Sequence, residues 1–364
     1  MTSDDSTALE LTDRIFDATL GLFDIATIYL GERLGFYRAL GASGSMTPGE
    51  LAGGTGTRER FVREWCEQQA ACGILRCNDP AAEPGSRRYV LPAGHRAVLA
   101  DRDDPAYAAG GIPGLVTALA VLRDLPDQVR VAPLPAPTDA ADAAARDGRG
   151  EANRPSFLHL LPGWLAALPD IHARLGDPPP ARVLDVACGA GWSSLAIATA
   201  YPAVRVDAID LEEAAIALAR RHADEAELGD RVAFRAADAT DPGLEGLYDL
   251  VTCFEALHDM VDPVRVIATW RRLLAPDGAC LVVDVRAEPA FTAPAGRLER
   301  LAYGWSVVDC LPATMRSPGS AATGAVMRPA TLERYALAAG FSGVEILPIE
   351  DPGWRFYRLR PFSD

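Results

Sequence analysis

The stretch ARVLDVACGAGWSSLAIA, residues 181–198, begins as an apolar, strand-like run, breaks at Gly189 and Gly191, and continues with a helical pattern. A turn of this kind, between the first strand and the first helix of a doubly wound sheet, is the usual ligand anchor. The dinucleotide fingerprint would need a third glycine where Ser194 stands, so the fit to a pyrophosphate is weak. Asp185, directly before the turn, would oppose a pyrophosphate and attract an ammonium or sulfonium cation. The turn therefore predicts a cationic ligand.

Two further acids follow the next two predicted strands. Asp210 lies 19 residues after Gly191 in VDAIDLE, where a carboxylate can accept both hydroxyls of a ribose, a role found with NAD and with S-adenosyl-L-methionine. Asp238, in RAADATD, is placed to accept a hydrogen bond from an adenine amino group, with the backbone of Ala239 alongside. Each acid alone could be a helix cap or a solvated charge, but three at successive strand ends favour a cationic nucleoside.

Three motifs, LDVACGAG, AIDLE and AADATD, occur in the order and spacing of the class I S-adenosyl-L-methionine-dependent methyltransferases, which this sequence resembles. The resemblance implies S-adenosyl-L-methionine as the cofactor and a Rossmann-like fold that holds it. The implied cofactor-binding residues are Asp185, Ala187, Gly189, Gly191, Asp210, Leu211, Asp238, Ala239 and Phe254. Position 187 more often holds glycine in the family, and alanine costs little there if its backbone angle is ordinary.

His258 is the candidate general base for transfer to a hydroxyl group. It lies four residues beyond Phe254, at the end of the fourth predicted strand, and an ordinary histidine pKa of about 6.5 suits proton transfer near neutrality. Asp259 either orients the imidazole or is solvated. In the competing interpretation, Asp262 and Pro263 form an N-cap and first-turn signature, and His258 only orders the approach to that helix. Two adjacent ligands fall short of the three or four that zinc takes, so we expect no metal.

The acceptor pocket is less clearly marked in the sequence. The candidate lining residues are Asn153, Arg154, Glu255, Phe291, Tyr303, Trp305 and Met315. An apolar insertion rich in aromatic residues suits a planar or hydrophobic small molecule. We expect Trp192 to pack against its own helix rather than cover the cofactor. The other histidines, at 95, 159, 172 and 222, lie away from the strand ends and are predicted to be surface or packing residues.

The elements that position these residues alternate between strand and helix patterns from residue 181 onward. The predicted strands are 183–186, 204–209, 232–235, 249–254, 280–285, 344–347 and 356–359, and the helices between them begin at Trp192, Pro263 and Pro329, with one more ending near Arg220. Such alternation predicts an α/β fold, a Rossmann-like doubly wound and mostly parallel sheet with helices on both faces. We assign it to residues 171–364.

The N-terminal part is predicted to be an α-helical winged-helix dimerisation domain, residues 1–105. Residues 11–40 are apolar nearly all round a helix, which indicates burial against another subunit. Thr47 and Pro48 begin one short helix, and Thr57 caps a second whose inner face is Phe61, Trp65 and Cys72. Strands at 74–77 and 88–91 form the wing. Residues 106–170 supply connecting helices and, over 133–150, a Pro-, Ala- and Gly-rich linker.

The N-terminal part and the segment EALHDM together resemble the O-methyltransferase families that have an N-terminal dimerisation domain and an LHDW motif, with Met260 in place of tryptophan. The resemblance is stronger still to a group of actinobacterial methyltransferases, often labelled as transcriptional regulators, which share EANRPSF, EALHDM, ERLAYGWSVVDCLP and SAATGAVMRP. It implies a homodimer that methylates a small molecule, most often at oxygen, with His258 as the base.

Composition and charge narrow the classes of partner. The 364 residues carry a formal net charge of −15, with 49% hydrophobic and 23% charged residues. Such a charge disfavours nucleic acid and anionic membranes as partners, since their phosphates would be repelled. The acidic N-terminus does not resemble a secretory signal, and no run of apolar residues is long enough to span a bilayer. The seven cysteines form no CxxC pair. We therefore expect a cytoplasmic protein with reduced thiols.

Two alternatives from other classes remain open at this point. The first is a transcriptional regulator whose winged helix binds DNA while the Rossmann-like half senses a nucleoside. Its would-be recognition helix, however, balances the arginines at 58, 60 and 63 against the glutamates at 59, 64 and 67, which leaves no basic face. The second alternative is an enzyme that has the methyltransferase fold but transfers no methyl group.

Overall fold

The computed structural model describes residues 3–123, 125–130 and 139–361, which divide into two compact units, Met1–Val116 and Thr117–Asp364. In the first unit the helices are α1 (Ser3–Arg33), α2 (Phe36–Ser43), α3 (Pro48–Thr55), α4 (Glu59–Ala71) and α5 (Ala93–Leu99), and the strands are β1 (Arg76–Cys77) and β2 (Tyr89–Val90). Short 3-10 turns lie at Pro84–Ser86 and Ala109–Gly111. The predicted division at residues 105 and 170 stays a prediction.

In the first unit β1 pairs antiparallel with β2, and the winged-helix assignment stays a prediction. Thr47 caps α3 in a reciprocal capping box with Glu50, as Thr47 and Pro48 predicted. The predicted cap at Thr57 was wrong, because α4 has Arg58 as its N-cap and begins at Glu59. The Thr57 hydroxyl instead bonds that of Thr55.

The predicted inner face of α4 was only partly right. Trp65 is buried, but Phe61 and Cys72 are exposed. The buried face consists of Val62, Trp65, Cys66 and Gln69, spaced three or four residues apart as one face of a helix requires. On the remaining surface, Arg60 pairs with Glu64 and Arg63 with Glu59.

The second unit continues with α6 (Ile112–Ala120), which crosses its boundary, then α7 (Leu125–Gln128), α8 (Asp139–His159), α9 (Leu161–Ala166) and α10 (Pro169–Gly176). A 3-10 turn at Val121–Arg123 follows α6. A linker was predicted over residues 133–150. Residues 133–138 lie outside the described residues, and from residue 139 onward the prediction was wrong, because α8 begins there. Residues 139–146, DAADAAAR, explain this helix, because alanine has the highest helix propensity of all residues.

The sheet and its flanking helices follow the predicted alternation. The strands are β3 (Arg182–Val186), β4 (Arg205–Asp210), β5 (Val232–Ala236), β6 (Tyr248–Phe254), β7 (Leu274–Val285), β8 (Gly343–Ile346) and β9 (Trp354–Arg360). The helices are α11 (Trp192–Ala200), α12 (Glu213–Glu225), α13 (Pro263–Leu273), α14 (Arg297–Trp305), α15 (Leu311–Thr314) and α16 (Pro329–Ala338). A 3-10 turn at Leu257–Asp259 precedes α13, and a π-helix at Ser306–Cys310 joins α14 to α15.

The strand order is β5-β4-β3-β6-β7-β9-β8, with parallel pairing from β5 to β7 and antiparallel pairing of β9 with both its neighbours. Alternate residues of β3 enter different cores, because successive side chains of a strand point to opposite faces. Val183 packs with residues of α9 and α11, whereas Leu184 and Val186 pack with residues of α13 and α16. The prediction of a doubly wound, mostly parallel sheet is confirmed. Within the described part of the chain, no helix has the length and apolar character needed to cross a membrane.

Candidate functional site

The sheet register brings the candidate residues to one edge. Val186, the last residue of β3, lies opposite Ile209 of β4 and Cys253 of β6. The glycine turn after β3, Asp210 at the end of β4 and Phe254 at the end of β6 are therefore neighbours in space. The carboxyl ends of parallel strands next to a change in strand order are where folds of this class bind ligands.

A cavity of about 540 Å³ lies at this edge. At one end its lining includes Ala187, Gly189, Ala190, Asp210 and Leu211, and Leu211 is 73% exposed. At the other end its lining includes Asn153, Glu255, Asp259 and Cys310. The volume falls within the range of pockets that hold small molecules and cofactors. One continuous cavity thus joins the glycine turn to the surroundings of His258.

The glycine turn depends on left-handed backbone. Gly191 has φ 83°, and a Cβ at this position would lie 2.8 Å from the Phe234 ring and 2.9 Å from the Ala219 Cβ, so only glycine lets α11 start this close to its neighbours. Gly189 has φ 53°, and its N–H donates to Oδ2 of Asp210 at 2.9 Å. The backbone of the turn is therefore tied to the end of the adjacent strand.

Ala187 departs from the expectation of an ordinary backbone angle. Its φ is 57°, in the left-handed region, where a Cβ crowds the following carbonyl at a cost of roughly 1–2 kcal/mol. The expectation that alanine costs little here was therefore wrong. Ala187 lines the cavity, so the strained residue belongs to the site itself.

Asp185 does not reach the cavity, so its predicted direct contact with a cationic ligand is corrected. Its side chain is buried, with the residue only 1% exposed, and its carboxylate accepts hydrogen bonds from Ser193 and Ser194 at 2.6 Å each and from Thr252 at 2.8 Å. Burial raises the pKa of Asp185, while these hydroxyl donors act to lower it. Asp185 thus fixes the start of α11 and the neighbouring strand β6 beneath the turn.

Asp210 lies in the cavity wall, and its carboxylate accepts hydrogen bonds from the backbone. It accepts the N–H groups of Gly189 at 2.9 Å and Glu212 at 3.0 Å. An ionised carboxylate offers about four lone-pair positions. These bonds orient the carboxylate and are compatible with the predicted ribose contact.

Asp238 and Ala239 follow β5 at the same sheet edge but are not among the cavity-lining residues. Asp238 is exposed. Its Oδ1 accepts two hydrogen bonds from Thr240, one from the N–H at 2.7 Å and one from the hydroxyl at 2.8 Å. These bonds lower the pKa of Asp238. The adenine contact of Asp238 and Ala239 stays a prediction.

His258 lies in the 3-10 turn after β6 and is 3% exposed. Its Nδ1 is 2.6 Å from Oδ1 of Asp284, and its Nε2 lies 3.5 Å from Oδ1 of Asp259 and 3.7 Å from Sγ of Cys310. Burial alone would lower the pKa of His258, but the carboxylates of Asp284 and Asp259 raise it well above its usual value. His258 is not among the lining residues, whereas Asp259 and Cys310, the two residues near its Nε2, are.

Asp284, rather than Asp259, holds the His258 ring at Nδ1, and sequence reasoning missed it. Asp284 is fully buried near the end of β7, which pairs directly with β6. A signal was available, because Asp284 is the acid in the otherwise apolar run CLVVDV. The predicted cap of α13 is confirmed, since Asp262 accepts the N–H of Arg265 at 3.0 Å and Pro263 occupies the first turn. Capping of α13 therefore does not involve His258.

The acceptor end of the cavity agrees with its prediction only in part, at Asn153 and Glu255. Asn153 lines it and donates to Glu255 at 2.6 Å, and Glu255 is a non-glycine residue with φ 49°. Burial raises the pKa of Glu255. The aromatic residues of the wall are Phe157, which sequence reasoning missed, together with Trp192 and Phe254. The rings of Phe157 and Phe254 meet edge to face, with centroids 5.3 Å apart.

The aromatic residues predicted from the insertion, and Met315, do not line the cavity. Phe291 and Met315 are exposed, and Tyr303 accepts a hydrogen bond from Arg328. The lining residues that the insertion contributes instead include Val308, Asp309 and Cys310. These residues belong to the π-helix, whose extra residue per turn changes which side chains face inward. The spacing of an ordinary helix cannot predict that change.

Trp192 and three of the remaining histidines make defined side-chain contacts, and Trp192 also lines the cavity. The Trp192 ring stacks on His222 with centroids 4.1 Å apart, and Arg154 lies over its other side. His222 also contacts the carbonyl of Ala190, as His95 does that of Ile74 and His172 the Tyr201 hydroxyl. These contacts agree with the predicted packing roles.

Comparison with known proteins supports the same fold. Residues 179–314 match a family model described as a methyltransferase domain. A ubiquinone biosynthesis O-methyltransferase from Xanthomonas axonopodis pv. citri (strain 306) is 37% identical over 122 residues, 33% of this chain. The chain spans about half the length of that relative, 49%.

Two solved structures match along nearly the whole chain. The mitomycin 7-O-methyltransferase MmcR has a TM-score of 0.68 at 18% identity, covering 98% of this chain and 100% of that one. Human N-acetylserotonin methyltransferase, solved in complex with SAM, has a TM-score of 0.69 at 15% identity, covering 100% of both chains. At such identities the likeness concerns the fold. The glycine turn, the strand order and the matched domain together show that this chain has the class I methyltransferase fold.

Proposed function

We propose that this protein transfers a methyl group from S-adenosyl-L-methionine to an oxygen atom of a small-molecule acceptor, with His258 as the general base. The observation that carries the proposal is the single cavity that runs from the glycine turn to Cys310 and Asp259, directly in front of His258. A transferase of this kind needs both reactants in one enclosed space, because holding them together removes the entropic cost of their encounter.

The residues at the glycine end fit the cofactor. Gly189 and Ala190 present backbone with little side chain, which lets a ligand approach the turn closely. Asp210 is oriented by two N–H donors at the cavity wall, where a carboxylate suits ribose hydroxyls. Leu211 offers an exposed apolar surface beside it, suited to one face of a planar base. When bound, S-adenosyl-L-methionine supplies an electrophilic methyl group.

The residues at the other end fit removal of a proton from the acceptor. Asp284 accepts the Nδ1 proton of His258, which leaves Nε2 as the atom that takes a proton from an acceptor hydroxyl. Cys310 and Asp259 occupy the approach to Nε2, so an acceptor reaches it only after displacing them from their present positions. Phe157 and Phe254 form an apolar wall that excludes water from the reacting oxygen.

Calorimetric titration of the full-length protein with S-adenosyl-L-methionine and, separately, with NAD tests the cofactor. We expect binding of the first and none of the second. Asp210→Asn should weaken cofactor binding by about 10- to 100-fold, since a hydrogen bond to a charged group contributes roughly 1.5–3 kcal/mol. Asp207→Asn, on the same strand but paired with Arg182 away from the cavity, is the matched control. Binding of NAD alone would refute the proposal.

Methyl transfer itself is tested by the formation of S-adenosylhomocysteine with a panel of hydroxylated aromatic acceptors. Product formation that requires both cofactor and acceptor supports the proposal. Tight cofactor binding without product for any acceptor would favour an enzyme that has the fold but transfers no methyl.

A DNA complex lost in an Arg58→Ala, Arg63→Ala variant would favour the transcriptional regulator. The Arg63–Glu59 and Arg60–Glu64 pairs argue against the regulator, because they neutralise the charges that phosphates would need.

The proposal includes a homodimer in the cytoplasm. Seven large apolar residues of α1 are between 49% and 63% exposed: Leu9, Leu11, Ile15, Phe16, Leu20, Leu22 and Phe23. A second copy of the chain that covers them would remove this surface from water. All seven cysteines are free thiols, in keeping with a reducing compartment. In sedimentation experiments we expect a dimer, and a monomer for the Ile15→Glu, Phe16→Glu double variant; a monomeric wild type would refute the dimer.

A further inference from the structure

A cluster of three potential metal ligands lies where the cavity meets His258. The atoms are Nε2 of His258, a carboxylate oxygen of Asp259 and Sγ of Cys310, and all lie within 4.8 Å of one another. His258 and Asp259 come from the 3-10 turn after β6, whereas Cys310 ends the π-helix. In the sequence, His258 and Asp259 have no third ligand near them, and the fold supplies one in Cys310, about fifty positions away.

The distances suit a tetrahedral ion. Zinc binds nitrogen and oxygen at about 2.0–2.2 Å and sulfur at about 2.3 Å, which places neighbouring ligands of a tetrahedron about 3.4–3.6 Å apart. Nε2 of His258 lies 3.7 Å from Sγ of Cys310 and 3.5 Å from Oδ1 of Asp259. The Asp259 oxygen and Sγ of Cys310 lie within 4.8 Å of each other, so shifts of about 1 Å bring all three atoms to bonding distance.

The second ring nitrogen of His258 is held as in protein zinc sites. Its Nδ1 lies 2.6 Å from Oδ1 of Asp284, and both side chains are buried. A histidine ligand usually donates its other N–H to a carboxylate in this way, which fixes the tautomer and directs the free lone pair at the metal. Asp284 thus prepares Nε2 for coordination as well as for proton transfer.

Charge and accessibility favour zinc over harder cations. A carboxylate and a thiolate would neutralise a divalent ion, and a thiolate–imidazole pair selects zinc rather than magnesium or calcium. Asp259 and Cys310 line the cavity, so the ion has a path from solvent and a fourth position that faces the cavity. On binding, the thiol proton of Cys310 passes to solvent, and so does the Nε2 proton of His258 when the imidazole is in its imidazolium form.

We infer that His258, Asp259 and Cys310 form a Zn²⁺ site that, when loaded, occupies Nε2 and blocks proton removal from the acceptor. The binding part depends only on the three side chains. The inhibitory part rests on the proposed function, because it assumes that His258 is the base.

Cobalt titration tests the site without any assay of activity. Chelator-treated, full-length protein is titrated with Co²⁺ and followed by absorption spectroscopy. We expect saturation at one ion per chain, with a thiolate-to-cobalt charge-transfer band in the near ultraviolet. Cys310→Ser should abolish that band, and Asp259→Asn should weaken binding by about tenfold or more. Cys72→Ser, a substitution of an exposed thiol of the other unit, is the matched control and should retain the band. Circular dichroism confirms that each variant is folded.

Absence of the thiolate band in wild type, or an unchanged band in folded Cys310→Ser, overturns the site. With the site established, Zn²⁺ should reduce methyl transfer by about 10²-fold or more, the loss expected when a general base is removed, and chelator should restore it. Unchanged transfer by the zinc-loaded enzyme overturns the inhibitory part. Cobalt binding in a protein that transfers no methyl would leave the site intact and count against the proposed function instead.

Discussion

The two ends of the cavity are built differently. The glycine end consists of contiguous backbone, with Gly189 and Gly191 in left-handed conformations and their turn tied to Asp210 by one hydrogen bond. The acceptor end is assembled from side chains that are far apart in the chain: Asn153 from α8, His258 after β6, Asp284 from β7 and Cys310 from the π-helix.

This difference separates the two tasks of the site. A turn of adjacent residues carries its geometry with it, so any chain that folds this way presents similar backbone to a cofactor. Side chains from four separate elements can be exchanged independently. Substitutions at the acceptor end can therefore change which molecule binds there, while the backbone of the glycine end stays the same.

Removal of the base should produce the largest effect and should separate the two ends most clearly. In His258→Asn the amide can still donate to Asp284, so the fold should persist while the proton acceptor is lost. We expect kcat to fall by about 10²–10⁴-fold, with the Kd for S-adenosyl-L-methionine unchanged. Single-turnover formation of S-adenosylhomocysteine and calorimetry measure the two quantities.

His159→Asn serves as the control for this variant, because His159 is exposed at the end of α8. It should retain the wild-type rate. Full activity of His258→Asn would return His258 to a structural role, and a large loss of cofactor affinity would show that the two ends are not independent.

Substitution of the turn glycines should act mainly on stability. In Gly191→Ala the new Cβ would meet Phe234 at 2.8 Å and Ala219 at 2.9 Å. We expect a loss of about 1–2 kcal/mol from the left-handed backbone and a further ~1–3 kcal/mol from overpacking. Gly189→Ala is the matched variant, since its Cβ would meet nothing within 4 Å. Urea unfolding should show the larger loss at Gly191; equal losses would mean that packing at Gly191 does not matter.

The pH dependence of transfer should depend on the acceptor end alone. Burial acts to lower the pKa of His258, but the Asp284 and Asp259 carboxylates raise it well above its usual value. The imidazolium form of His258 therefore keeps its proton to a higher pH than an ordinary histidine does. As pH rises toward the raised pKa, kcat should increase by about tenfold per pH unit. Asp284→Asn should move this rise to lower pH, since it removes one of the charges that favour the imidazolium. The measurement is kcat against pH for the wild type and for Asp284→Asn, both with chelator present. Coincident profiles would contradict the predicted shift.

The sheet could be predicted from sequence because each strand is a short apolar run that alternates with a helix. The predicted starts of α11, α13 and α16 at Trp192, Pro263 and Pro329 agree with the structure. Local signals determine such starts: a glycine turn before one helix and a proline in the first turn of the others. Where the local signal was ambiguous, as in the alanine-rich segment from Asp139, helix propensity prevailed over the linker interpretation.

Sequence predicted the glycine end of the site better than the acceptor end. The glycine turn and Asp210 could be found because they are contiguous motifs. Asp284 could be singled out as the acid in CLVVDV, but the closeness of Asp284 and Cys310 to His258 could not be predicted. It arises only from strand pairing and from a π-helix that no simple periodicity describes. Asp185 was placed at the right strand end, but its burial depends on hydroxyls that arrive from α11 and β6.

Ala187 offers the finest test of how much the glycine end depends on its backbone. Its φ of 57° costs about 1–2 kcal/mol for a residue with a Cβ. Glycine relieves this strain, but the greater entropy of its unfolded chain destabilises the folded protein by roughly 0.4–1 kcal/mol. Ala187→Gly should therefore stabilise the protein by roughly 0–1.6 kcal/mol. Ala190→Gly, in the same turn but without a positive φ, should destabilise it, since a buried methyl group is lost without relief of strain. Opposite shifts of the urea midpoint would show that strain at residue 187 is real; two shifts of the same sign would mean that the turn tolerates alanine there without cost.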